Sequence, residues 1–197
     1  MLHLDPPLEL HPHPCSPAPM VRSLDVSITQ LPEGGFSFVY RLFGDMARLS
    51  IPQPRPTNET TEPCEGLWEH TCFEAFVAHS GKAAYREFNF SPSGQWAVYD
   101  FLDYRKPSGI PMRLPPPRIT GHLSEGRLEL NILLVSDAFL DNMTNADLEI
   151  GLCAVIESTD TQDGARSYWS LRHPIERPDF HLRDGFDLRL STVPLIR

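Results

Sequence analysis

Two carboxylates in the middle of the chain carry its clearest chemical signal. Glu74 and Glu87 lie in runs of alternating residues, 71–78 and 84–90, that flank a His-Ser-Gly-Lys turn. Such period-two runs joined by a glycine-bearing turn predict a β-hairpin. With a two-residue turn at 80–81, the register places Glu74 opposite Glu87. Carboxylates that face each other across a sheet repel, so the pair predicts a cation, a metal or a ligand on that face.

The acidic pair has several interpretations. A register that differs by one residue turns either carboxylate toward water. On a ligand-facing surface, a carboxylate accepts hydrogen bonds from vicinal sugar hydroxyls or joins the oxygen shell of a Ca²⁺ ion. Directly cross-strand carboxylates have Cβ atoms about 5 Å apart. That separation also leaves open a glycoside-acting enzyme that uses Glu74 and Glu87.

Two tryptophans are candidate stacking surfaces for a sugar ring. Trp68 follows a polar loop, and Trp169 stands in the polar run Ser-Tyr-Trp-Ser-Leu-Arg. An indole covers the apolar C–H face of a sugar while polar neighbours fix its hydroxyls, although each tryptophan can also be a core residue. Asn89 and Arg105 complete the polar set, because the guanidinium presents a fork of donors that can neutralise the acidic pair.

A second group of polar residues lies near the end of the chain. His173, Asp179 and His181 fall in the segment HPIERPDFH. They are weak metal-ligand candidates, because two histidines eight residues apart match no standard zinc spacing. A loop held by its prolines, with His and Asp bonded to the backbone, is the plainer interpretation. The chain has no nucleophile elbow, phosphate-binding loop, dinucleotide fingerprint or HExxH motif, so binding is favoured over catalysis.

Several short motifs follow one another along the chain. They are Trp68-x5-Glu74, Tyr85-x-Glu87-x-Asn89-x-Ser91-Pro92-x-Gly94-x-Trp96, GLCAVIE at 151–157, and Tyr168-Trp169-Ser170-Leu171. Together they resemble the bacterial DOMON-like proteins related to family 9 carbohydrate-binding modules. The resemblance implies a β-sandwich that binds sugar or, in another branch, haem. It also implies that Glu74 is a ligand acid spaced from a stacking Trp68, and that Glu157 lies beside the binding face.

The elements that must position these residues are strands. Period-two patterning predicts strands at 21–30, 36–43, 118–123, 127–135, 147–156 and 167–171, with 8–10 as a short edge strand. Many short strands separated by turn residues predict an all-β, antiparallel β-sandwich or jelly roll. We expect one such domain at 21–197, flanked by the proline-rich segment 1–20, which cannot be a helix.

Composition narrows the partners. A net charge of −9 without a Lys/Arg cluster disfavours nucleic acid and anionic membranes. Four cysteines without a CxxC pair predict reduced thiols, and the lack of an apolar run near the N-terminus predicts a cytoplasmic protein. The expected ligand is a small carbohydrate or polyol, bound without catalysis and with no cofactor required, although Ca²⁺ is an option. A haem-binding domain is the main alternative, and the oligomeric state is left open.

Overall fold

The computed structural model describes residues 6–31, 34–53, 62–109, 114–135, 147–160 and 165–191. Within these residues the strands are β1 (Leu8–Pro12), β2 (Val21–Gln30), β3 (Gly35–Gly44), β4 (Cys72–His79), β5 (Tyr85–Phe90), β6 (Trp96–Asp103), β7 (Lys106–Pro107), β8 (Arg118–Ser124), β9 (Arg127–Val135), β10 (Asp147–Glu157), β11 (Arg166–Ser170) and β12 (Leu188–Ser191). The described helices are single 3₁₀ turns at Met46–Arg48, Leu67–Glu69 and Arg183–Gly185. None of them has the length or the apolar character needed to cross a membrane.

The described strands form one antiparallel sheet. Its order is β7-β6-β5-β4-β10-β11-β1-β2-β3-β9-β8, and β12 pairs with β10 beside β11. The predicted all-β, antiparallel class is therefore confirmed. The short strand expected at 8–10 is present, but it is not an edge strand, because β1 pairs on both sides. Residues Leu8–Leu10 pair with β2, and His11 and Pro12 pair with β11, so β1 joins the two halves of the sheet.

One half of the sheet consists of β2, β3, β8 and β9, and the other half consists of β4–β7 and β10–β12. The core lies between these two halves, which pack face to face. Apolar residues alternate along β3 and β9, and every second side chain is buried. The Tyr40 hydroxyl on β3 crosses the core to donate to the backbone carbonyl of Glu74 at 2.8 Å. The Tyr40 and Phe73 ring centroids are 5.1 Å apart, and those of Phe38 and Phe90 are 6.1 Å apart. These contacts fix the inner face of β4 and β5 against β3.

The outer face of β4 and β10 is also covered. The chain after β11 returns across it and places Phe186 on Phe76, with ring centroids 5.6 Å apart. A Cβ atom at Gly151 would lie 3.0 Å from the Phe186 ring, so glycine allows this close approach. Both faces of β4 are largely shielded: every residue from Cys72 to Ala78 is buried, and His79 is partly exposed.

The hairpin of β4 and β5 has a different register from the predicted one. Glu74 pairs with Asn89, and Glu87 pairs with Phe76. The connection runs over residues 80–84 instead of the assumed two-residue turn, and it contains Gly81 at a positive φ of 73°. The longer turn shifts the register by two residues. An even shift preserves the faces, so the two carboxylates still share the outer face as diagonal neighbours.

Candidate ligand-binding cleft

A cavity of about 390 Å³ opens on the outer face of β4, β5, β6, β10 and β11, and we call it the cleft. This volume lies within the range of small-molecule sites. Its aromatic lining consists of Trp68, Phe76, Tyr99, Phe101, Tyr168 and Phe180. Its polar lining consists of Glu74, Glu87, Arg105, Arg166 and His181. Strand alternation explains the members that lie on strands, because residues two apart on a strand point to the same face.

Glu74 is a buried carboxyl that faces the cleft. Its side chain lies between β5 and β10, in register with Asn89 on one side and Cys153 on the other. Only 3% of the residue is exposed, and within the described residues its carboxyl accepts no hydrogen bond. Burial raises the pKa of Glu74 well above its usual value, and the charge of Glu87 adds to the effect. Burial therefore disfavours the charged form of Glu74 more than that of an exposed glutamate.

Glu87 is buried beside it but is better supported. The residue is 6% exposed, and its Oε1 accepts a hydrogen bond of 2.7 Å from the side-chain amide of Asn89. Burial raises the pKa of Glu87, while the Asn89 hydrogen bond and the charge of Arg105 oppose that rise. Its Oε2 is 3.6 Å from Nε2 of His181, which is beyond hydrogen-bond distance. Glu87 thus accepts a hydrogen bond from the fold, whereas Glu74 accepts none from the described residues.

His181 enters the cleft from the loop after β11. Its Nδ1 is 2.8 Å from the Tyr85 hydroxyl, which accepts a 3.0 Å hydrogen bond from the backbone N–H of Arg105. Burial lowers the pKa of His181 to about 4, and the charge of Arg105 contributes. The imidazole is therefore neutral at pH 7. A Tyr85 hydroxyl that donates to Nδ1 leaves the proton on Nε2, on the side of Glu87.

Arg105 is held by Asp179 rather than by the acidic pair. Its Nη2 donates to Oδ1 of Asp179 at 2.9 Å, and the Tyr104 hydroxyl donates to Oδ2 at 2.6 Å. Burial raises the pKa of Asp179, but these hydrogen bonds outweigh it and the net shift is downward. Arg105 has a positive φ of 50°, a strained conformation for a residue with a side chain. This network fastens the loop after β11 to the turn between β6 and β7.

The two predicted stacking tryptophans differ in position. Trp68 is 42% exposed at the mouth of the cleft, with its ring edge-on to Tyr99 at a centroid distance of 5.6 Å. Trp169 is a core residue instead: it is 4% exposed, and its indole N–H donates to Ser167 at 2.9 Å. Its register partner on β10 is Ala154, which faces the core. The adjacent Tyr168 is the β11 residue that lines the cleft.

Three other residues that the sequence singled out lie outside the lining of the cleft. Asn89 is fully buried and contacts Glu87, so it positions that carboxyl from beneath the cleft. Glu157 lies at the end of β10, where its Oε2 is 3.0 Å from Nδ1 of His70. Nε2 of His173 is 2.8 Å from the carbonyl oxygen of His11, so this ring contacts β1.

The predicted metal trio is not assembled. Asp179 is bonded to Arg105 and Tyr104, and His181 contacts Tyr85. His173 contacts β1 instead of joining them. In the part of the chain that the structure describes, no three His, Cys, Asp or Glu side chains are grouped as metal ligands would be. The plainer interpretation of this loop, with its polar residues bonded locally, agrees with these contacts.

Several cleft residues were not predicted from the sequence. Tyr99 and Phe101 follow the alternation of β6, and Phe76 follows that of β4, so strand periodicity was an available signal. The Tyr99 hydroxyl is buried, and no group in the described residues meets hydrogen-bond geometry with it. Burial raises the pKa of Tyr99 to about 12, with Glu65 and Glu87 contributing and a weak interaction with the Gly66 amide opposing. Phe180 reaches the cleft from an irregular loop and had no such signal.

Comparisons with known proteins bear on the fold. No protein-family model matches the chain, and no curated protein is significantly similar to it in sequence. Its structure is similar to the crystal structure of a putative carbohydrate-binding protein from Bacteroides uniformis. The TM-score is 0.59 at 16% sequence identity, and the match covers 94% of this chain and 84% of the other. At this identity the similarity shows a shared all-β fold.

Proposed function

We propose that the protein binds a small carbohydrate or similar polyol in the cleft without transforming it. Trp68 supplies the stacking surface at the mouth. Glu74 and Glu87 accept hydrogen bonds from ring substituents at the floor, and Arg105 supplies donors at the edge. The protein would then be a ligand-binding domain of the type that the DOMON-like resemblance implies.

The observation that carries this proposal is the unsatisfied carboxyl of Glu74. A buried polar group without a partner costs free energy, so such groups are usually bonded in native structures. Glu74 has no partner among the described residues and faces a cavity large enough for a monosaccharide. A sugar hydroxyl provides the missing donor, and vicinal hydroxyls can engage both carboxylate oxygens.

The aromatic lining supports the same class of ligand. An exposed indole next to buried carboxyls offers an apolar surface and hydrogen-bond acceptors within one cavity. A pyranose ring has the matching groups, namely an apolar C–H face and hydroxyl donors. The similar protein from Bacteroides uniformis, which is described as carbohydrate-binding, adds support at the level of the fold. Its low identity means that the ligand itself has to be found by experiment.

The test is a glycan array followed by calorimetric titration of the sugars that bind. Removing an aromatic anchor from a desolvated site costs about 2 kcal/mol or more. We therefore expect Trp68→Ala to weaken binding some ~30-fold, at ~1.4 kcal/mol per decade. Leu123→Ala is the matched control, because Leu123 is an exposed apolar residue on β8 in the other half of the sheet. Absence of binding to any sugar, or equal effects of the two variants, would overturn the proposal.

One observation also favours an enzyme that uses the same carboxyls. A raised pKa at Glu74 beside a second carboxyl suits a general acid in glycoside hydrolysis. Turnover of aryl glycosides by the wild-type protein, lost in Glu74→Gln or Glu87→Gln, would identify such an activity. We expect binding without turnover. The haem alternative is tested by adding haem to purified protein, where a shifted Soret band would support it.

A further inference from the structure

The cleft contains more acidic groups than its basic groups pair with among the described residues. Arg105 is paired with Asp179 at 2.9 Å, so these two charges balance each other. His181 is neutral at pH 7, since its pKa is about 4. Arg166 lies exposed at the rim and donates to the backbone carbonyl of Glu69 at 3.4 Å. Among the described residues, no Lys or Arg forms an ion pair with either carboxyl at the floor of the cleft.

The two floor carboxyls also have few hydrogen-bond donors among the described residues. Glu87 accepts one hydrogen bond from Asn89, and its second oxygen is 3.6 Å from His181. Glu74 accepts none within the described residues, although 97% of it is buried and it lines the cavity. An acidic cluster alone would not indicate a ligand. A buried acceptor without a partner, directed into an open cavity, does.

The walls around these carboxyls are aromatic. Phe76 and Tyr99 are the cross-strand neighbours of Glu87, and Phe101 lies two residues further along β6. Ring faces attract cations, most strongly where water is excluded, and a buried carboxylate strengthens that preference. This environment suits an organic ammonium group better than a hydrated ion, because the rings replace water around the C–H groups next to the charge.

We infer that the ligand of the cleft is a sugar or polyol that carries a primary amine, with its ammonium group against Glu74 and Glu87. This inference rests on the proposed function and adds the class of ligand. An ammonium has three donors, which matches the open oxygens of the two carboxyls. A Ca²⁺ ion takes six to eight oxygen ligands, whereas the described residues bring two carboxyls to the floor of the cleft.

Matched sugars separate the amine from the ring. D-glucosamine, D-glucose and N-acetyl-D-glucosamine share one ring, and the corresponding galactose series provides a second configuration. We would titrate all six by calorimetry at pH 6.5, where the amine is protonated, with EDTA present. Charge-assisted hydrogen bonds are roughly twice as strong as neutral ones. We therefore expect the amine member of a series to bind at least ~10-fold tighter than both neutral members, which corresponds to ~1.4 kcal/mol.

Variants show whether the floor carboxyls cause the preference. Glu74→Gln should reduce the difference between amine and neutral sugar to less than ~3-fold, and Glu87→Gln is a second variant in case the first does not fold. Glu125→Gln is the matched control, because this exposed acid lies in the turn between β8 and β9 in the other half of the sheet. It should keep the full preference. Thermal melts establish that each variant is folded.

The possible outcomes are distinct. Equal or tighter binding of the neutral sugars, or binding that needs added Ca²⁺, overturns this inference and leaves the proposed function standing. If no sugar binds but cyclohexylamine does so in a manner that depends on Glu74, the cleft recognises an amine, and both this inference and the carbohydrate proposal fail as stated. If none of these compounds binds, both fail.

Discussion

Two acids on the outer face of the same half-sheet are in opposite environments. Glu149 on β10 is bonded to Arg183, accepts a 3.1 Å hydrogen bond from the Ser80 hydroxyl, and has Arg189 at 4.0 Å. The hydrogen bond from Arg183 is the main reason that its pKa is lowered. Glu74 on the adjacent β4 has no donor within the described residues, and burial raises its pKa.

The contrast indicates which acid serves the fold and which serves a ligand. The chain supplies an arginine and a hydroxyl to Glu149, so this carboxylate stabilises the closure of the loop that carries Arg183. At Glu74 the described residues supply burial and no hydrogen-bond donor, and burial by itself disfavours the charged form. A buried acid that the protein leaves unsatisfied at the floor of a cavity is explained by a molecule that enters the cavity.

Glu149→Gln should have the largest effect on stability. Hydrogen bonds to charged groups contribute about 1.5–3 kcal/mol, and Glu149 is largely shielded from solvent. We expect the free energy of unfolding to fall by about 2 kcal/mol at pH 7, measured by denaturant titration. A change below ~0.5 kcal/mol would mean that Glu149 contributes no more to stability than an exposed acid does. Glu149 could then not represent a structural acid in the comparison with Glu74.

Glu74→Gln should affect stability less and in the other direction. The substitution removes a buried charge and its repulsion with Glu87, so the free energy of unfolding should stay unchanged or rise by up to about 1 kcal/mol at pH 8. Glu125→Gln controls for the loss of an exposed acid. Loss of more than ~2 kcal/mol in Glu74→Gln would show that this carboxyl is a structural group with partners in the fold.

The pH dependence of stability gives a smaller but signed test. Because the folded pKa of Glu74 is raised, the native state holds its proton at pH values where the unfolded chain has lost it. The stability contributed by this group is therefore present below about pH 4.5 and is lost as pH rises through the folded pKa, at up to ~1.4 kcal/mol per pH unit. The free energy of unfolding of wild type minus that of Glu74→Gln should decline as pH rises from 4.5 to the folded pKa of Glu74. A difference that grows with pH would contradict the raised pKa.

His181 contributes a pH effect of the opposite sign. Its pKa is lowered from 6.5 to about 4 in the folded protein, so the unfolded chain binds a proton first. Its contribution to stability therefore rises between about pH 4 and pH 6.5 and is complete above that range. Comparing wild type with His181→Gln over this range isolates the effect. If the difference in free energy of unfolding between the two proteins does not change with pH, the imidazole is in contact with solvent rather than in the buried network.

Strand alternation made much of this arrangement predictable. The period-two pattern identified the all-β class and put Glu74 and Glu87 on one face, and that result survived a register error of two residues. The error came from the length of the β4–β5 turn, because local sequence does not distinguish a two-residue turn from the observed five-residue connection. Trp68 and Arg105 were also predicted, and the structure brings both to the cleft.

The remaining errors have other physical origins. Trp169 was placed on the wrong face because one residue decides the side of a strand, and the polarity of its neighbours suggested exposure. His181 and Phe180 reach the cleft through the packing of an irregular loop, which periodicity does not describe. The pairing of Arg105 with Asp179 spans 74 residues and depends on that same packing.

The most direct test of the central claim is a pH titration of the side-chain carboxyl ¹³C signals by NMR, with Glu74 and Glu149 assigned from their Gln variants. The account predicts that Glu74 titrates well above pH 4.5 in the free protein and shifts downward when an amine-bearing sugar saturates the cleft, whereas Glu149 titrates below 4.5 in both states. A Glu74 signal that titrates at or below 4.5 without ligand would contradict it, because the protein itself would then be satisfying the carboxylate.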